Sequence, residues 1–236
     1  QNKITLWLHF TAIILISIPV YLVLLQPDLG TSIMIALSGF LIIFLAGISW
    51  RLIISSIFIT ILSSPLIWVN LHAYQKNRII NMLDPFVDPL GAGYHTIQSM
   101  IAIGSGGGFG KGWGEGSQTN LNFLPEAYTD FIFAVYSEEF GFFGVVIIFV
   151  LFLLLIYRIF ILASSMQSTF SRLLTVSLGV SIFSAIFVNI AMVSGLVPIV
   201  GLPLPFMSYG GTSMVVSLAS IGIIMSLNNH KTLIAN

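Results

Sequence analysis

The sequence predicts an all-α fold, a polytopic bundle of transmembrane helices. The 236 residues are 57% hydrophobic and only 7% charged, with a mean hydropathy of +1.04, whereas a soluble domain carries about 25% charged residues. Six apolar stretches approach or exceed the roughly 20 residues needed to cross a ~30 Å hydrocarbon core. These predicted spans cover residues 4–25, 29–48, 52–73, 131–157, 173–194 and 206–227.

The first three predicted spans are joined by short connections. The segment LQPDLGT, residues 25–31, predicts a tight turn after the first span. The second and third spans meet at Gly47–Arg51. Pro19 and Pro65 fall inside spans, where neighbouring helices can satisfy the carbonyls that a proline leaves free.

A long extracytoplasmic loop, residues 74–130, is predicted to follow the third span. The Asp-Pro pairs at 84–85 and 88–89 favour turns and break helices. Residues 96–103 are apolar but too short to span, so they either lie in the membrane interface or dip back into the protein. Residues 104–116 are glycine-rich, and we expect a flexible loop with several positive φ angles there.

The last three spans continue the same membrane domain. Another proline-containing loop, residues 194–213, separates the fifth span from the sixth. We expect one domain over residues 1–236. The chain starts at Gln1 beside an apolar stretch, and we interpret it as part of a longer protein whose N-terminal segment is absent here.

The charges segregate when residues 1–3 are placed in the cytoplasm. Five of the eight basic residues then lie on the cytoplasmic side, in agreement with the positive-inside rule; they are Lys3, Arg51, Arg158, Arg172 and Lys231. All acidic residues lie on the outer side, namely Asp28, Asp84, Asp88, Glu115, Glu126, Asp130, Glu138 and Glu139. We therefore expect the chemistry at the outer face.

The glycine-rich segment does not match a nucleotide site. Residue 105 is serine where a P-loop requires glycine, and Gly112 replaces the Ser or Thr that follows the P-loop lysine. We predict no nucleotide cofactor. Lys111 is one of few outward cations, and we keep an anion contact open for it.

Three carboxylates mark the start of the fourth span, in LPEAYTDFIFAVYSEEFG. Residues 140–157 suffice to cross about 27 Å, so Glu138 and Glu139 can lie at the interface. They are about 100° apart on a helix, so at least one faces neighbouring helices and needs a partner.

Asp130 has two compatible interpretations. With Thr129 it can cap the helix, which would lower the pKa of its carboxyl. It can also be an ionised base above the membrane, with Glu126 raising that pKa. The residues alone leave the balance open.

Seven segments, in order along nearly the whole chain, resemble those of one family. They are QPDLGTS (26–32), YQKNRIINMLDPFVDPLGAGYHTIQS (74–99), IAIGSGG (101–107), GKGWGEGSQ (110–118), FLPEAYTDFIFAV (123–135), EEFG (138–141) and GLPLPFMSYGG (201–211). They resemble the SEDS membrane proteins, the RodA/FtsW group, and the IAIGSGG, GKG and SQ forms are more similar to RodA. Tyr128 stands where the family commonly has His, which removes a proton carrier active at neutral pH.

The resemblance implies a ten-span peptidoglycan glycosyltransferase of the bacterial cytoplasmic membrane, with its active site facing outward. Its expected substrates are lipid II and the growing glycan strand. Its expected partners are a class B penicillin-binding protein and other elongation-complex membrane proteins, with no role for nucleic acid. The membrane location and the cell-shape function follow from the same resemblance.

The resemblance also assigns roles to residues. Asp130 matches the proposed catalytic Asp and would act as general base. Substrate contacts are expected from Asp28, Arg78, Lys111, Gln118 and Glu126, and supporting roles from Glu138, Glu139 and Tyr209. We expect a divalent cation such as Mg²⁺, held by Asp28 or Asp130.

Two other classes of function remain open. A bundle with broken helices and acidic residues can transport lipid II across the membrane, although a transporter places its polar groups at the midplane. A scaffold for wall-synthesis proteins is compatible with catalysis. Because the acidic candidates cluster on one side, the sequence favours the enzyme.

Overall fold

The computed structural model describes residues 2–26, 28–47, 50–71, 73–89, 91, 93–121, 123–124 and 126–233. Ile48 of the predicted second span and His72 of the predicted third span lie outside this range. The described residues form helices and no strand. The helices are α1 (Asn2–Leu24), α2 (Leu29–Leu45), α3 (Trp50–Asn70), α4 (Ala73–Leu83), α5 (Tyr94–Ser105), α6 (Ser117–Asn120), α7 (Ile132–Ser165), α8 (Thr169–Val193) and α9 (Gly211–Leu233), with a 3₁₀ turn at Pro85–Val87.

Six of these helices, α1, α2, α3, α7, α8 and α9, correspond to the six predicted spans. Within the described residues, three segments are long and apolar enough to cross a membrane: Ile132–Ser165, Thr169–Val193 and Gly211–Asn229. Shorter apolar helical segments occur at Phe10–Leu24, Gly30–Leu45 and Ile61–Asn70. The prediction of an all-α polytopic membrane protein is confirmed.

Four helix ends differ from the predicted spans by four or more residues. Helix α7 continues to Ser165 instead of residue 157, α9 continues to Leu233 instead of residue 227, and two helices begin at other residues. The fifth span begins at Thr169 instead of residue 173, because Ser168 supplies an N-cap whose side chain accepts from the Ser171 N–H. The sixth begins at Gly211 instead of residue 206, because residues 205–209 form turns. In that turn the N–H groups of Met207 and Ser208 both donate to Leu204 O, at 3.2 and 3.0 Å.

The contacts divide the chain into two compact units, Gln1–Ile80 and Asn81–Asn236, which are described separately. In the first unit α1 packs along α2. Gly39 of α2 meets the side chain of Ile16 so closely that a Cβ atom would lie 2.7 Å from it.

The second unit is built around α7 and α8. Helix α5 packs on both of them, and α9 packs on α8. The core of this unit includes Ala102, Leu124, Phe131, Met192, Val193 and Leu204. About half of the predicted outer loop, residues 74–130, is helical, and its apolar segment 96–103 packs inside the protein as part of α5. The Ser99 hydroxyl secures this packing by donating to Val193 O at 2.8 Å.

Helix α7 is broken at Gly141, whose φ of 63° and ψ of −162° are not helical. The glycine-rich segment 106–112 bonds to the backbone exposed by the break. On one side of the break, Lys111 N–H donates to Glu138 O and Gly112 N–H donates to Glu139 O, both at 3.0 Å. On the other side, Phe142 N–H donates to Gly107 O at 2.8 Å and Phe143 N–H donates to Gly108 O at 3.1 Å. Backbone groups freed by the break are thus satisfied within the protein.

Close contact with the backbone of α7 explains two glycines of this segment, Gly106 and Gly110. A Cβ at Gly106 would lie 2.1 Å from Ser137 O, and one at Gly110 would lie 2.0 Å from Glu139 O. Gly110 also has a φ of +80°, a conformation that costs glycine little. The expected positive φ angles are present, and the segment is bound to α7.

Candidate active site

Asp130 lies in the turn that leads into α7, with its side chain half-buried. Within the described part of the chain, no hydrogen-bond donor reaches its carboxylate oxygens. Gly201 approaches closely, since a Cβ there would lie 3.3 Å from Asp130 Oδ2. Burial raises the pKa of the Asp130 carboxyl, and the charge of Glu126 raises it further.

The capping role considered for Asp130 is wrong. The N-cap of α7 is Phe131, with a φ of −105° and a ψ of 15°, and no side chain caps the first turn. A carboxylate that is not used as a cap, and whose pKa is raised, fits a group that accepts a proton.

The backbone beside Asp130 is held by a row of hydrogen bonds. The Tyr128 carbonyl accepts from the Tyr209 N–H at 2.8 Å. The Thr129 carbonyl accepts from the Ser208 hydroxyl at 2.6 Å, and the Asp130 carbonyl accepts from the Asn189 side-chain amide at 2.9 Å. The donors belong to α8 and to the 194–210 loop. The GLPLPFMSYGG segment therefore packs against the turn that carries Asp130.

Glu126 begins this turn in a strained conformation. It is one of two non-glycine residues with positive φ in the described chain, at 56°. Its exposed carboxylate accepts from the Thr129 hydroxyl at 2.9 Å. Strain of this kind often marks functional sites, and the contact fixes the charge that acts on Asp130.

An open cavity of about 670 Å³ adjoins the same turn. Its lining includes Tyr128, Ile132, Tyr209 and Met214. Both tyrosines are exposed, and Tyr209, predicted as a supporting residue, lies at this cavity. The space is large and mostly apolar, which suits part of a large amphipathic ligand.

Lys111 and Glu138 form a buried salt bridge. Lys111 Nζ lies 2.6 Å from Glu138 Oε1, and the Glu138 side chain is 0% exposed. Glu138 also accepts from Ser117 N and Ser117 Oγ, both at 2.9 Å, from Gln118 N at 3.2 Å and from Ser105 Oγ at 3.3 Å. The sequence predicted a partner for at least one of Glu138 and Glu139, and for Glu138 that partner is the ammonium group of Lys111.

Two other predicted residues lie near this salt bridge. Glu139 accepts from the N–H of Gly114 at 3.1 Å, so it helps to hold the glycine-rich segment. Gln118 lies in α6, and its Oε1 is buried without a hydrogen-bond partner among the described residues. The backbone N–H of Gln118 donates to Glu138 at 3.2 Å, which places this residue beside the salt bridge.

Asp28 and Arg78 belong to the first unit. Asp28 is the N-cap of α2 and accepts from Thr31 N at 3.0 Å and Thr31 Oγ1 at 2.6 Å. These Thr31 hydrogen bonds lower the pKa of Asp28, and the charge of Arg78 lowers it slightly more. Asp28 thus caps the start of α2, and both of its carboxylate oxygens have a protein partner.

The described residues contain no cluster of three or more His, Cys, Asp or Glu side chains that would hold a metal ion. Mg²⁺ commonly binds through one or two carboxylates together with waters and substrate phosphates, and such a mode needs no cluster.

Sequence reasoning missed Asn189, Ser208 and Gly201, which surround Asp130. One signal was available for Asn189, because an amide within the apolar segment IFVNIAMV is costly unless it has a partner. Ser208 and Gly201 lie inside the quoted GLPLPFMSYGG segment, but nothing in the pattern pairs that segment with residues 128–130.

Comparison with known proteins places the chain in a family. The family model described as "Cell cycle protein" (FtsW, RodA, SpoVE) matches residues 1–233. The peptidoglycan glycosyltransferase MrdB of Escherichia coli K12 is 51% identical over 95% of this chain and 61% of its own length. The probable peptidoglycan glycosyltransferase FtsW of Geobacter sp. M18 is 38% identical over 94% of this chain and 60% of its own.

Solved structures agree. A chain of a peptidoglycan synthase complex, studied for the coordination of polymerization and crosslinking, matches with a TM-score of 0.76 at 35% identity, over 92% of this chain and 60% of that one. The rod shape determining protein RodA of Thermus thermophilus matches with a TM-score of 0.63 at 28% identity, over 97% and 58%. The chain spans about 60% of the length of these relatives. It belongs to the FtsW/RodA/SpoVE family of membrane proteins.

Proposed function

We propose that the protein to which this chain belongs is a peptidoglycan glycosyltransferase that polymerises lipid II at the outer face of the bacterial cytoplasmic membrane during cell elongation. The observation that carries the proposal is the Asp130 carboxylate, which is half-buried, has no hydrogen-bond donor from the described residues, and lies between Tyr128 and Ile132, two residues that line an open cavity. Relatives named as peptidoglycan glycosyltransferases support the reaction class.

In the proposed reaction Asp130 is the general base. Its carboxylate takes the proton of a sugar 4-hydroxyl, and the oxygen forms a bond to the anomeric carbon of the second substrate. The bond from that carbon to the pyrophosphate breaks, and the electron pair leaves with undecaprenyl pyrophosphate. An α-linked donor thus gives a β-linked product in one inverting displacement, without a covalent enzyme intermediate.

The environment of Asp130 suits this role. Because burial and Glu126 raise the pKa of its carboxyl, the carboxylate binds a proton more strongly than a solvated Asp does. The same shift leaves a smaller ionised fraction at acidic pH. General-base assistance is worth about 10²–10⁴-fold, and the positioning of both lipid-linked sugars supplies a further large factor.

The developing charge on the pyrophosphate needs stabilisation by cations. Since Lys111 is paired with Glu138, we assign it to the support of the glycine-rich segment. The substrate contacts that the resemblance gives to Asp28, Arg78, Gln118 and Glu126 stay predictions. A divalent cation held by Asp28 or Asp130 stays part of the proposal, and when bound it would neutralise charge on the pyrophosphate.

We further propose that the full-length protein works with a class B penicillin-binding protein, which would crosslink the strands that it polymerises. A solved relative belongs to a peptidoglycan synthase complex studied for the coordination of polymerization and crosslinking, which supports a partner of this kind. Other membrane proteins of the elongation machinery would join the same assembly.

The test uses the full-length protein, co-purified with its penicillin-binding partner and supplied with labelled lipid II in detergent. Asp130→Asn should abolish polymer formation while the protein folds and binds the partner as the wild type does. Glu115→Gln is the matched control, because Glu115 is an exposed carboxylate of the same unit and has no role in the proposed chemistry.

Polymer formation by Asp130→Asn at the wild-type rate would overturn the assignment of the base. If the wild type formed no polymer but moved lipid II across liposomes, the transport function would replace the proposed one. If the wild type neither polymerised nor transported lipid II but still bound its partners, a scaffold function would replace the proposed one.

A further inference from the structure

We propose that Asn189 is a positioning residue for Asp130, and that Ser208 assists it by holding the preceding residue of the same turn. The inference rests on the proposed function, because it concerns the geometry of the group assigned as the base. It adds residues of α8 and of the 194–210 loop to the functional site.

Asn189 is fully buried in α8, with 0% of its surface exposed. Both hydrogens of its amide are used, since the nitrogen donates to Asp130 O at 2.9 Å and to Leu202 O. The side chain therefore ties the turn before α7 to the 194–210 loop. Its Oδ1 has no hydrogen-bond partner among the described residues. Because burying that oxygen without a partner is unfavourable, the stabilising contribution of the Asn189 amide comes from its two donated hydrogen bonds.

Ser208 makes an equivalent contact with Thr129, the residue that precedes Asp130. Its hydroxyl donates to Thr129 O at 2.6 Å and accepts from Leu204 N at 2.6 Å. The side chain is buried, with 4% exposed. A hydroxyl that donates on one side and accepts on the other joins the turn to the loop in the way that Asn189 does.

These bonds control Asp130 because the Asp130 carboxylate has no hydrogen bond of its own from the described residues. The position of its oxygens is then set by the backbone and by two side-chain torsions. Releasing the Asp130 carbonyl would let the main chain shift, and a displacement of about 1 Å at a reacting group can cost on the order of 10²-fold in rate. Gly201, with a φ of +68° and close to Asp130 Oδ2, shows how closely the loop follows this side chain.

The test compares Asn189→Leu, which keeps the size of the side chain and removes both donors, with Thr175→Val. Thr175 is the matched control because it is also a fully buried polar residue of α8. It lies 14 residues from Asn189, about 21 Å along the helix. Both variants are made in the full-length protein with its partner, and polymerisation of lipid II is measured against pH and lipid II concentration.

We expect Asn189→Leu to lower kcat ten- to a hundredfold, with the KM for lipid II changed less than threefold. The acidic limb of the pH profile should move to lower pH, because a carboxyl released from its half-buried position is better solvated and loses part of its raised pKa. Glu126 is the charged group that acts on Asp130, and it is unchanged. Thr175→Val should leave kcat and the pH profile at wild-type values.

Ser208 provides a second test that does not depend on the folding of Asn189→Leu. Ser208→Ala should lower kcat in the same direction, and Ser208→Thr, which keeps the hydroxyl, should retain more activity than Ser208→Ala. If Asn189→Leu and Ser208→Ala both polymerise at the wild-type kcat with an unmoved acidic limb, the positioning role is refuted.

Asp130→Asn is measured in parallel so that the two proposals fail separately. Loss of activity in Asp130→Asn, together with full activity in the Asn189 and Ser208 variants, would refute only the positioning role. Full activity in Asp130→Asn would refute the base itself, and the positioning role with it.

Discussion

Replacing Lys111 with Met should destabilise the protein, because Glu138 would keep its charge without its cationic partner. Glu138 is 0% exposed and lies 2.6 Å from Lys111 Nζ. Removing one partner of a buried ion pair typically costs about 3–5 kcal/mol. Here the Lys111 side chain is 31% exposed, and hydrogen bonds from Ser105, Ser117 and Gln118 remain. The expected loss is therefore about 2–3 kcal/mol.

Replacing Glu138 with Leu should cost more. It leaves the N–H groups of Ser117 and Gln118 without their acceptor, and each unsatisfied buried donor costs about 1–3 kcal/mol. Lys111 can turn to solvent in this variant, so the unpaired charge adds little. We expect Glu138→Leu to lose about 3–5 kcal/mol.

The assay is thermal unfolding of the purified full-length protein in detergent, read together with the KM for lipid II. The shift is about 2–4 °C per kcal/mol for 150–250 residues and smaller for a longer chain, so Lys111→Met should lower the Tm of the full-length protein by about 3–8 °C. Lys76→Met is the control, since Lys76 loses only a bond to Val69 O at 3.2 Å. If Lys111→Met unfolded at the wild-type temperature and raised the KM for lipid II, the lysine would be a substrate contact and the structural reasoning would be wrong.

Two further predictions concern the turn and the glycine-rich segment. Glu126→Gln removes a charge that raises the pKa of Asp130, so the acidic limb of the kcat/KM profile should move to lower pH; an unmoved or upward-shifted limb would contradict the coupling of the two carboxyls. Gly110→Ala should lower Tm strongly, because its Cβ would lie 2.0 Å from Glu139 O in a residue with φ of +80°. Gly104→Ala, in helix α5 with no atom within 4 Å of the new Cβ, should keep or raise Tm, and equal Tm values for the two variants would refute the close contact.

The membrane class and the location of most helices could be predicted from the sequence, since an apolar run of about 20 residues has few alternatives to a spanning helix. The region of the site was also predictable, because LPEAYTDFIFAVYSEEFG places carboxylates at the entrance of a span. Carboxylates within a membrane are energetically costly and commonly have a function. Residues 104–116 were correctly expected to contain positive φ angles, as Gly107, Gly110, Gly112 and Gly114 show.

Other properties depend on contacts between residues far apart in the chain. Only the folded structure pairs Lys111 with Glu138, and only it joins the backbone of residues 107–112 to α7 where Gly141 interrupts the helix. Hydrogen bonds of this kind have no sequence period, since each requires one donor and one acceptor to meet in space.

The amino-acid sequence by itself determined that this chain is a bundle of membrane helices and that Asp130 lies at the entrance to one of them, because hydrophobicity and local residue patterns act over short stretches. The tertiary structure alone decided how Asp130 is buried and held. Its burial and the hydrogen bond from Asn189 to its backbone arise from packing between segments up to 59 residues apart in the chain, whereas Glu126 lies four residues away and its effect was expected from the sequence. Burial and electrostatic interaction depend on distance in space, and that distance exists only after the helices have packed.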